Sequence, residues 1–216
     1  MRCKVKFILD PGLVLYLPLH KQDGNPFMSG EAYGHTCTVS GASWGMNGRY
    51  FDGVDDYINC GNASVLLVSQ AITILAWINL LTPAGNRIIA GRRQGANNWQ
   101  FYTTAIPKLG FTFWSSGVEK TALAAGNSVL LTGTWVLAAV TYDGTNGNLY
   151  INGDIDKSAS LTGTIDTNAT ATTVGAGNTG GFQSWSGTLG EVGIYARALS
   201  PQEIQRNYLA TKWRYR

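Results

Sequence analysis

The chain has 216 residues, of which 44% are hydrophobic and 13% are charged, and its formal net charge is +3. This length supports one domain with a large core, and no segment reaches the ~20 apolar residues that a membrane span needs. Six of the sixteen basic residues lie at the two ends, so residues 7–211 carry a net charge of −3. A mildly acidic body excludes a nucleic-acid-binding surface, which requires cations clustered on a folded face.

The two basic ends, residues 1–11 and 210–216, are predicted to extend from a single domain with its core at about residues 12–209. They either solubilise the chain or dock on an acidic partner or a sister subunit. The second alternative assigns an assembly contact to Lys212, Trp213, Arg214 and Tyr215, because Trp, Tyr and Arg are favoured at interfaces.

Alternating apolar residues predict strands from the start of the body. Leu13–Leu19 is one such strand, and Pro18 places it at or near a sheet edge. His35–Val39 follows, and the segment from Tyr50 to Ile58 brackets a tight turn in which Asp55 is expected to accept backbone N–H groups.

Two later strands are apolar on both faces, which predicts central positions in a layered structure. They are Ala71–Leu80 and the first half of the segment Thr134–Ile155, whose pairs Asp143-Gly144 and Asn152-Gly153 favour tight reversals. Shorter strands are predicted at Arg87–Arg92, Asn98–Thr104, Leu109–Trp114, Val118–Leu123, Asp156–Leu161, Thr172–Gly175 and Leu189–Tyr195. About a dozen strands with frequent turn signals predict an all-β, two-sheet antiparallel sandwich. One short C-terminal helix is predicted from Ser200 to Tyr208, because Ser200-Pro201-Gln202-Glu203 forms a capping box.

Four segments in this order resemble the concanavalin A-like, laminin G-like jelly-roll family: GRYFDGVDDYINCG, ITILAWINL, TWVLAAVTYDGTNGNLYINGD and WSGTLGEVGIYARALSPQEI. The resemblance extends from about Gly12 to Tyr208. It implies a jelly roll of two antiparallel sheets with roughly six or seven strands each.

The chain departs from the family pattern at one strand. Where the family usually reads Ile-Asp-Glu-Val-Arg, residues 189–193 read Leu-Gly-Glu-Val-Gly. Many relatives bind a structural calcium, which needs six to eight oxygen ligands. Asp52, Asp55 and Asp56 remain, and the early loop adds only Asp23 and Glu31. We interpret these acids as turn residues, with a structural calcium as the alternative, so that neither a metal nor a cofactor is required.

Catalytic residues are not evident in the sequence. Enzymatic relatives carry a Glu-x-Asp-x-x-Glu pattern that is absent, and the nearest substitute is Asp154 with Asp156, which directly follows a turn. The two histidines, His20 and His35, lie in or beside a polar loop without a nucleophile motif. The sequence therefore predicts a protein that is not an enzyme.

The three cysteines, Cys3, Cys37 and Cys60, form neither a disulfide framework nor a metal motif. Cys37 and Cys60 are expected to be buried free thiols, with pairing between them as the alternative. Asp10-Pro11 interrupts the first apolar run, so the N-terminus does not resemble a cleaved signal. We favour an extracellular or virion-surface location, where a recognition or adhesion module would meet glycosylated surfaces.

The seven tryptophans divide into structural and candidate binding residues. The strand pattern places Trp77 and Trp135 in the core, and the family resemblance assigns Trp44 and Trp185 to loop packing, which leaves Trp99, Trp114 and Trp213. Gln100 and Tyr102 share one strand face, as do Thr112 and Trp114 on the next strand. A ligand-binding patch is thereby predicted, against the alternative of an ordinary half-exposed sheet; its residues are Arg92, Asn98, Trp99, Tyr102 and Trp114.

Three functions follow in order of preference. The first is a non-catalytic recognition or adhesion module that binds a glycan or a glycosylated surface. The alternative is a structural or decoration protein of a virion or another assembly, and the third is a glycoside hydrolase.

Overall fold

The computed structural model describes residue 10 and residues 12–93 and 98–216. These residues form sixteen strands, one α-helix and two short 3₁₀ turns, which confirms the predicted all-β sandwich. Cys3 and the predicted N-terminal extension, apart from residue 10, lie outside the described residues. The strands are β1 (Leu13–Pro18), β2 (Phe27–Met28), β3 (Thr36–Ser40), β4 (Ser43–Gly45), β5 (Gly48–Asp52), β6 (Tyr57–Asn59), β7 (Ile72–Leu80), β8 (Arg87–Arg93), β9 (Asn98–Thr103), β10 (Leu109–Ser115), β11 (Val118–Leu123), β12 (Trp135–Tyr142), β13 (Asn146–Ile151), β14 (Asp154–Ser160), β15 (Thr173–Val174) and β16 (Ser186–Tyr195).

The strands build two sheets in which all pairs are antiparallel. The first sheet has the order β14-β13-β12-β7-β16-β5-β4, and β1 also pairs with β16; the second has the order β11-β10-β9-β8-β15-β6-β3-β2. Each sheet has eight strands rather than the roughly six or seven expected, because short strands such as β2 and β4 extend the edges. In the described chain β1 pairs with β16 alone, as the position of Pro18 predicts.

The central strands β7 and β12 are buried on both faces, as predicted. Ile74 and Val140 point into the main core between the sheets. Leu75, Trp77 and Leu137 point outward into a second hydrophobic cluster beneath the C-terminal segment. Both rows are therefore apolar because the outer face of the first sheet carries a further layer of its own.

The predicted reversals occur where the sequence places them. Asn152 and Gly153 both have positive φ, 54° and 92°, and join β13 to β14 in a two-residue hairpin. In the turn after β5, the carboxylates that accept backbone N–H groups differ from the predicted one. Asp52 accepts the Val54 N–H and Asp56 accepts the Asp52 N–H, rather than Asp55.

The helix α1 (Pro201–Thr211) begins at the predicted capping box and ends three residues beyond Tyr208. Glu203 accepts the Ser200 N–H at 2.8 Å and is paired with the Arg197 guanidinium at 2.6 Å. The same guanidinium pairs with Asp10 at the beginning of the described chain. Hydrogen bonding to Arg197 lowers the pKa of Glu203 to about 2. None of the described helices is long and apolar enough to cross a membrane.

The C-terminal residues differ from the predicted extension because they pack on the first sheet. The Tyr215 ring lies 4.5 Å from the Trp77 ring and 4.8 Å from the Trp135 ring, between centroids. A bulge in β16 places Gly190 and Glu191 opposite Trp77. A Cβ atom at position 190 would lie 2.4 Å from the Tyr215 ring. Glycine at the position of the usual family acid therefore makes room for the C-terminal tyrosine.

Gly190→Ala is expected to displace Tyr215 from its site and to destabilise the protein by about 2 kcal/mol, the value of one buried aromatic side chain. Gly193→Ala is the matched control on the same strand, because a Cβ atom there meets its nearest neighbour at an ordinary 3.6 Å. Thermal unfolding and proteolysis at Lys212 measure the effect. Equal stability of the two variants would contradict this packing.

Glu203→Gln is expected to cost about 1 kcal/mol near neutral pH, because it removes a carboxylate paired with Arg197 at a helix N-terminus. The folded pKa of about 2 is below the ordinary value, so this stabilisation is complete above about pH 5. It disappears as the pH falls toward 2, and unfolding curves of the two proteins should converge there. Glu119→Gln, which removes the same charge from an exposed strand position, should show no such convergence.

Candidate functional site

The surface predicted from the sequence lies on the outward face of the second sheet. Register pairs Thr112 with Gln100 and Gly110 with Tyr102, which brings Gln100, Tyr102, Thr112 and Trp114 to one face. Trp99 does not join them, because it points inward and is packed in the main core. Strand alternation requires this, since Trp99 is one residue from Gln100.

The polar groups of this face are bonded to one another. The Arg93 guanidinium donates to Gln100 at 3.0 Å, and Gln100 donates to the Thr112 hydroxyl at 3.0 Å. The Tyr102 hydroxyl donates to a backbone carbonyl, and burial raises its pKa to about 12. Arg93 also lies over the Trp114 ring, with 5.3 Å to the centroid. Because Tyr102 and Trp114 are each only 4% exposed, this face offers little open ring surface for stacking.

Arg92 and Asn98 hold a neighbouring loop. Arg92 donates to the Thr172 hydroxyl at 3.0 Å and to the Asn168 carbonyl at 2.9 Å, and Asn98 donates to the Asn168 side chain at 2.6 Å. Both are almost fully buried. The geometry gives Arg92, Asn98 and Trp99 structural contacts, and a ligand role for Tyr102 and Trp114 stays a prediction.

A second surface, which the sequence analysis missed, crosses the outer face of the first sheet. Trp135 pairs with Asn79, Asn79 with Thr188, and Thr188 with Tyr50. Directly paired residues lie side by side on one face, so these four side chains form a straight row across β12, β7, β16 and β5. Three strand spacings separate the two aromatic ends by ~14 Å. We call Trp135, Asn79, Thr188 and Tyr50 the aromatic row.

The aromatic row forms the floor of an open cleft of about 320 Å³. The turn between β4 and β5 forms its wall, where Met46 is 85% exposed, and Tyr50 in the floor is 41% exposed. Every described residue that lines the cleft is uncharged. Asn79 donates to the Gly133 carbonyl at 3.2 Å, which orients its amide beside the cleft. The cleft thus combines open ring surface with hydroxyl and amide groups.

Trp44 also lines this cleft and is 46% exposed, which corrects the loop-packing role that the family resemblance assigned to it. Trp185 is fully buried, in agreement with that role. Alternation places Asn79 on the same strand face as Trp77, but both faces of these strands are apolar. Only the strand order shows that Asn79 and Trp135 are neighbours of Tyr50.

The three acids Asp52, Asp55 and Asp56 gather with their carboxylate oxygens within 4.8 Å of one another. Asp52 and Asp56 each use an oxygen to accept a backbone N–H in the turn. Burial raises the pKa of Asp56, and the neighbouring acids add to this. Three carboxylates, two of which already accept N–H groups of the turn, fall short of the six to eight oxygens that calcium needs, so the set fits a turn rather than a calcium site.

Asp156 and His35, which the sequence analysis considered for catalysis, have structural partners. The Asp156 carboxylate accepts the N–H groups of Asn127 and Ser128, both at 2.9 Å, and so fixes that loop. His35 contacts the Val14 carbonyl at 3.0 Å. His20 lies 3.7 Å from Glu191, and burial lowers its pKa to about 4. These groups lie in separate places and are not arranged around one reaction centre.

The predicted assembly residues divide between the inside and the outside of the molecule. Arg214 pairs with Glu191, and Tyr215 is buried against Trp77. The Lys212 ammonium lies over the Tyr208 ring, 5.3 Å from its centroid. Trp213 is 61% exposed and is the member of the set that remains open to a partner.

Residues 51–205 match a family model of the laminin G type, described as the concanavalin A-like lectin/glucanases superfamily. The chain belongs to this superfamily. The match includes β7, β12, β16 and the helix start, the same elements on which the sequence resemblance depends. No curated protein shows a significant sequence match.

Solved structures share the superfamily fold. Domain 4 of AbnA, a GH43 extracellular arabinanase from Geobacillus stearothermophilus in complex with arabinotriose, has a TM-score of 0.68 at 18% identity, covering 90% of this chain and 97% of that chain. The binding domain of botulinum neurotoxin serotype G has a TM-score of 0.70 at 15% identity, with 92% and 51% covered. Trypanosoma rangeli sialidase in complex with sialic acid has a TM-score of 0.70 at 17% identity, with 95% and 34% covered. This chain thus spans about half of the toxin domain and a third of the sialidase.

Proposed function

We propose that this protein is a non-catalytic carbohydrate-binding domain and that the aromatic row holds the glycan. The observation that carries the proposal is the direct pairing of Trp135, Asn79, Thr188 and Tyr50 across four strands. Aromatic rings stack on the C–H faces of sugars, while amide and hydroxyl groups bond their hydroxyls. The row places both kinds of group on one open floor.

The ligand is a short neutral oligosaccharide. A cleft lined by uncharged residues gives no ion pair to a sialylated, sulfated or uronic sugar. The ~14 Å between the two rings suits several linked sugar units rather than one. Rings at both ends and polar groups between them favour a chain that lies flat along the row.

Two further observations support a binding role without turnover. The arabinanase domain with the same fold is described in complex with arabinotriose, which is a neutral oligosaccharide. In this chain the Asp156 carboxylate is held by two backbone N–H groups, so the Asp154/Asp156 pair resembles a turn support more than an acid and base. The sialidase neighbours share the fold at 17–18% identity and are much longer.

Tyr50→Ala is expected to weaken glycan binding about fivefold to tenfold, because one stacked ring contributes roughly 1–1.5 kcal/mol. Tyr50→Phe, which keeps the ring, should retain most of the affinity. A glycan array that includes arabinotriose identifies ligands, and calorimetry measures their dissociation constants. Tyr33→Ala is the matched control, since Tyr33 is another exposed tyrosine, at 51%, and does not line the cleft.

The outcomes of these experiments distinguish the proposed function from the proposed position of the binding site. Absence of binding to every neutral and acidic glycan would contradict the proposed function. Binding that is insensitive to Tyr50→Ala but lost in Arg93→Ala would move the site to the second sheet, where the sequence predicted it. Preference for acidic glycans would contradict the neutral ligand class.

An assembly role is the second candidate, and the exposure of Trp213 favours it. Trp213 lies on the outside of the C-terminal segment. The Arg214 guanidinium lies over its ring, 4.8 Å from the ring centroid. Sedimentation should then show self-association that Trp213→Ala abolishes while glycan binding is unchanged. A monomer at all concentrations would contradict self-association through this residue.

A further inference from the structure

Two buried cysteines face each other across neighbouring strands. The register of β3 and β6 pairs Thr38 with Asn59, and its continuation by one position, just beyond the end of β6, places Cys37 opposite Cys60. Both side chains point into the main core and are 0% and 2% exposed. Because directly opposite residues share a face, the two thiols are neighbours inside the sandwich.

The hydrogen-bond pattern shows how close their backbones are. The Cys60 N–H donates to the Thr172 carbonyl at 2.9 Å, on the side away from β3. The Cys60 N–H thus points away from β3, as in a non-hydrogen-bonded pair, although the Thr172 N–H donates to the Gly61 carbonyl rather than to that of Cys60. Such pairs have Cα atoms about 4.5 Å apart, within the roughly 4.4–6.8 Å range of disulfides.

We infer that Cys37 and Cys60 are a redox-active pair that closes to a cross-strand disulfide under oxidising conditions, without rearrangement of β3 or β6. With oxidised glutathione, the thiolate of one cysteine attacks the glutathione disulfide and releases one reduced glutathione. The second thiolate then attacks the resulting mixed disulfide and releases another. The sum converts two protein thiols and one oxidised glutathione into one protein disulfide and two reduced glutathiones.

The structure also indicates when this reaction takes place. The hydrogen bond with the Cys37 thiol and burial in the core raise the pKa of Cys60 well above its ordinary range. The folded dithiol therefore reacts slowly, since the thiolate is the nucleophile. On its other side Cys37 is covered by the two-residue edge strand β2, where it pairs with Phe27. Opening of this short edge strand gives the oxidant a route to the pair.

The position of the pair links it to the cleft. A bond between Cys37 and Cys60 closes a loop that contains β4 and β5, and thus Trp44 and Tyr50. It anchors the base of this hairpin to the second sheet. The strand register places the two cysteines together, so their oxidation does not depend on whether the cleft binds a glycan.

A peptide map tests the inference in a Cys3→Ser background, which removes the third thiol. The protein is equilibrated with a glutathione redox buffer, including a cycle of partial unfolding and refolding, and digested with trypsin under non-reducing conditions. Cleavage after Lys21, Arg49 and Arg87 places Cys37 in residues 22–49 and Cys60 in residues 50–87. We expect these two peptides to remain joined, with a mass lower than their sum by two hydrogen atoms, and to separate on reduction.

Oxidation should raise the Tm by roughly 5–10 °C, because it closes a loop of moderate length in the unfolded chain. Cys37→Ser and Cys60→Ser should each abolish both the joined peptide and the rise in Tm. Separate peptides, or glutathione bound to a single cysteine at equilibrium, would overturn the inference. A joined peptide with a lowered Tm would overturn closure without rearrangement.

Discussion

The packing of the Tyr215 ring against Trp77 and Trp135 is the contact on which the outer layer of the first sheet depends. It covers strands whose outward side chains are apolar and would otherwise face water. Ile204 of helix α1 and Leu199, which precedes the helix, complete this cover. The sandwich therefore has a third, partial layer, which buries the outward side chains of β7 and β12.

The third layer also determines where the first sheet stays open. The C-terminal segment ends beside Trp135, whose ring is half-buried against Tyr215. Beyond it the outward positions are Asn79, Thr188 and Tyr50, which are partly exposed. The aromatic row lies on the part of this face next to the one that the C-terminal segment covers. A surface that changes from buried aromatic to open polar within one strand row is suited to a ligand with both C–H and hydroxyl groups.

Several buried polar groups elsewhere in the sandwich are paired with one another. Arg93 with Gln100 and Arg92 with Asn168 form compact sets whose hydrogen bonds offset the cost of their burial. Burial raises the pKa of Glu191, and its carboxylate pairs with the Arg214 guanidinium. Such sets specify how loops lie on the sheets, and they leave few groups on those faces for a ligand. The open, uncharged cleft differs from them in this respect.

The sequence by itself determined the layered β architecture, the reversal at Asn152-Gly153 and the start of the helix at Ser200. These features depend on local spacing, backbone freedom and capping, which neighbouring residues fully encode. It also placed Gln100 with Tyr102 and Thr112 with Trp114, each pair on one face of its own strand, because alternation within a strand is local.

Only the tertiary structure decided the rest. Trp44 was expected to pack a loop but lines the cleft, and Tyr215 was expected in a C-terminal extension but is buried. Strand order and the bulge at Gly190 decide both positions, and both are set by distant parts of the chain. The row from Trp135 to Tyr50 joins residues far apart in sequence through the register of four strands. Register depends on which strands pair, and no local pattern in the chain contains that information.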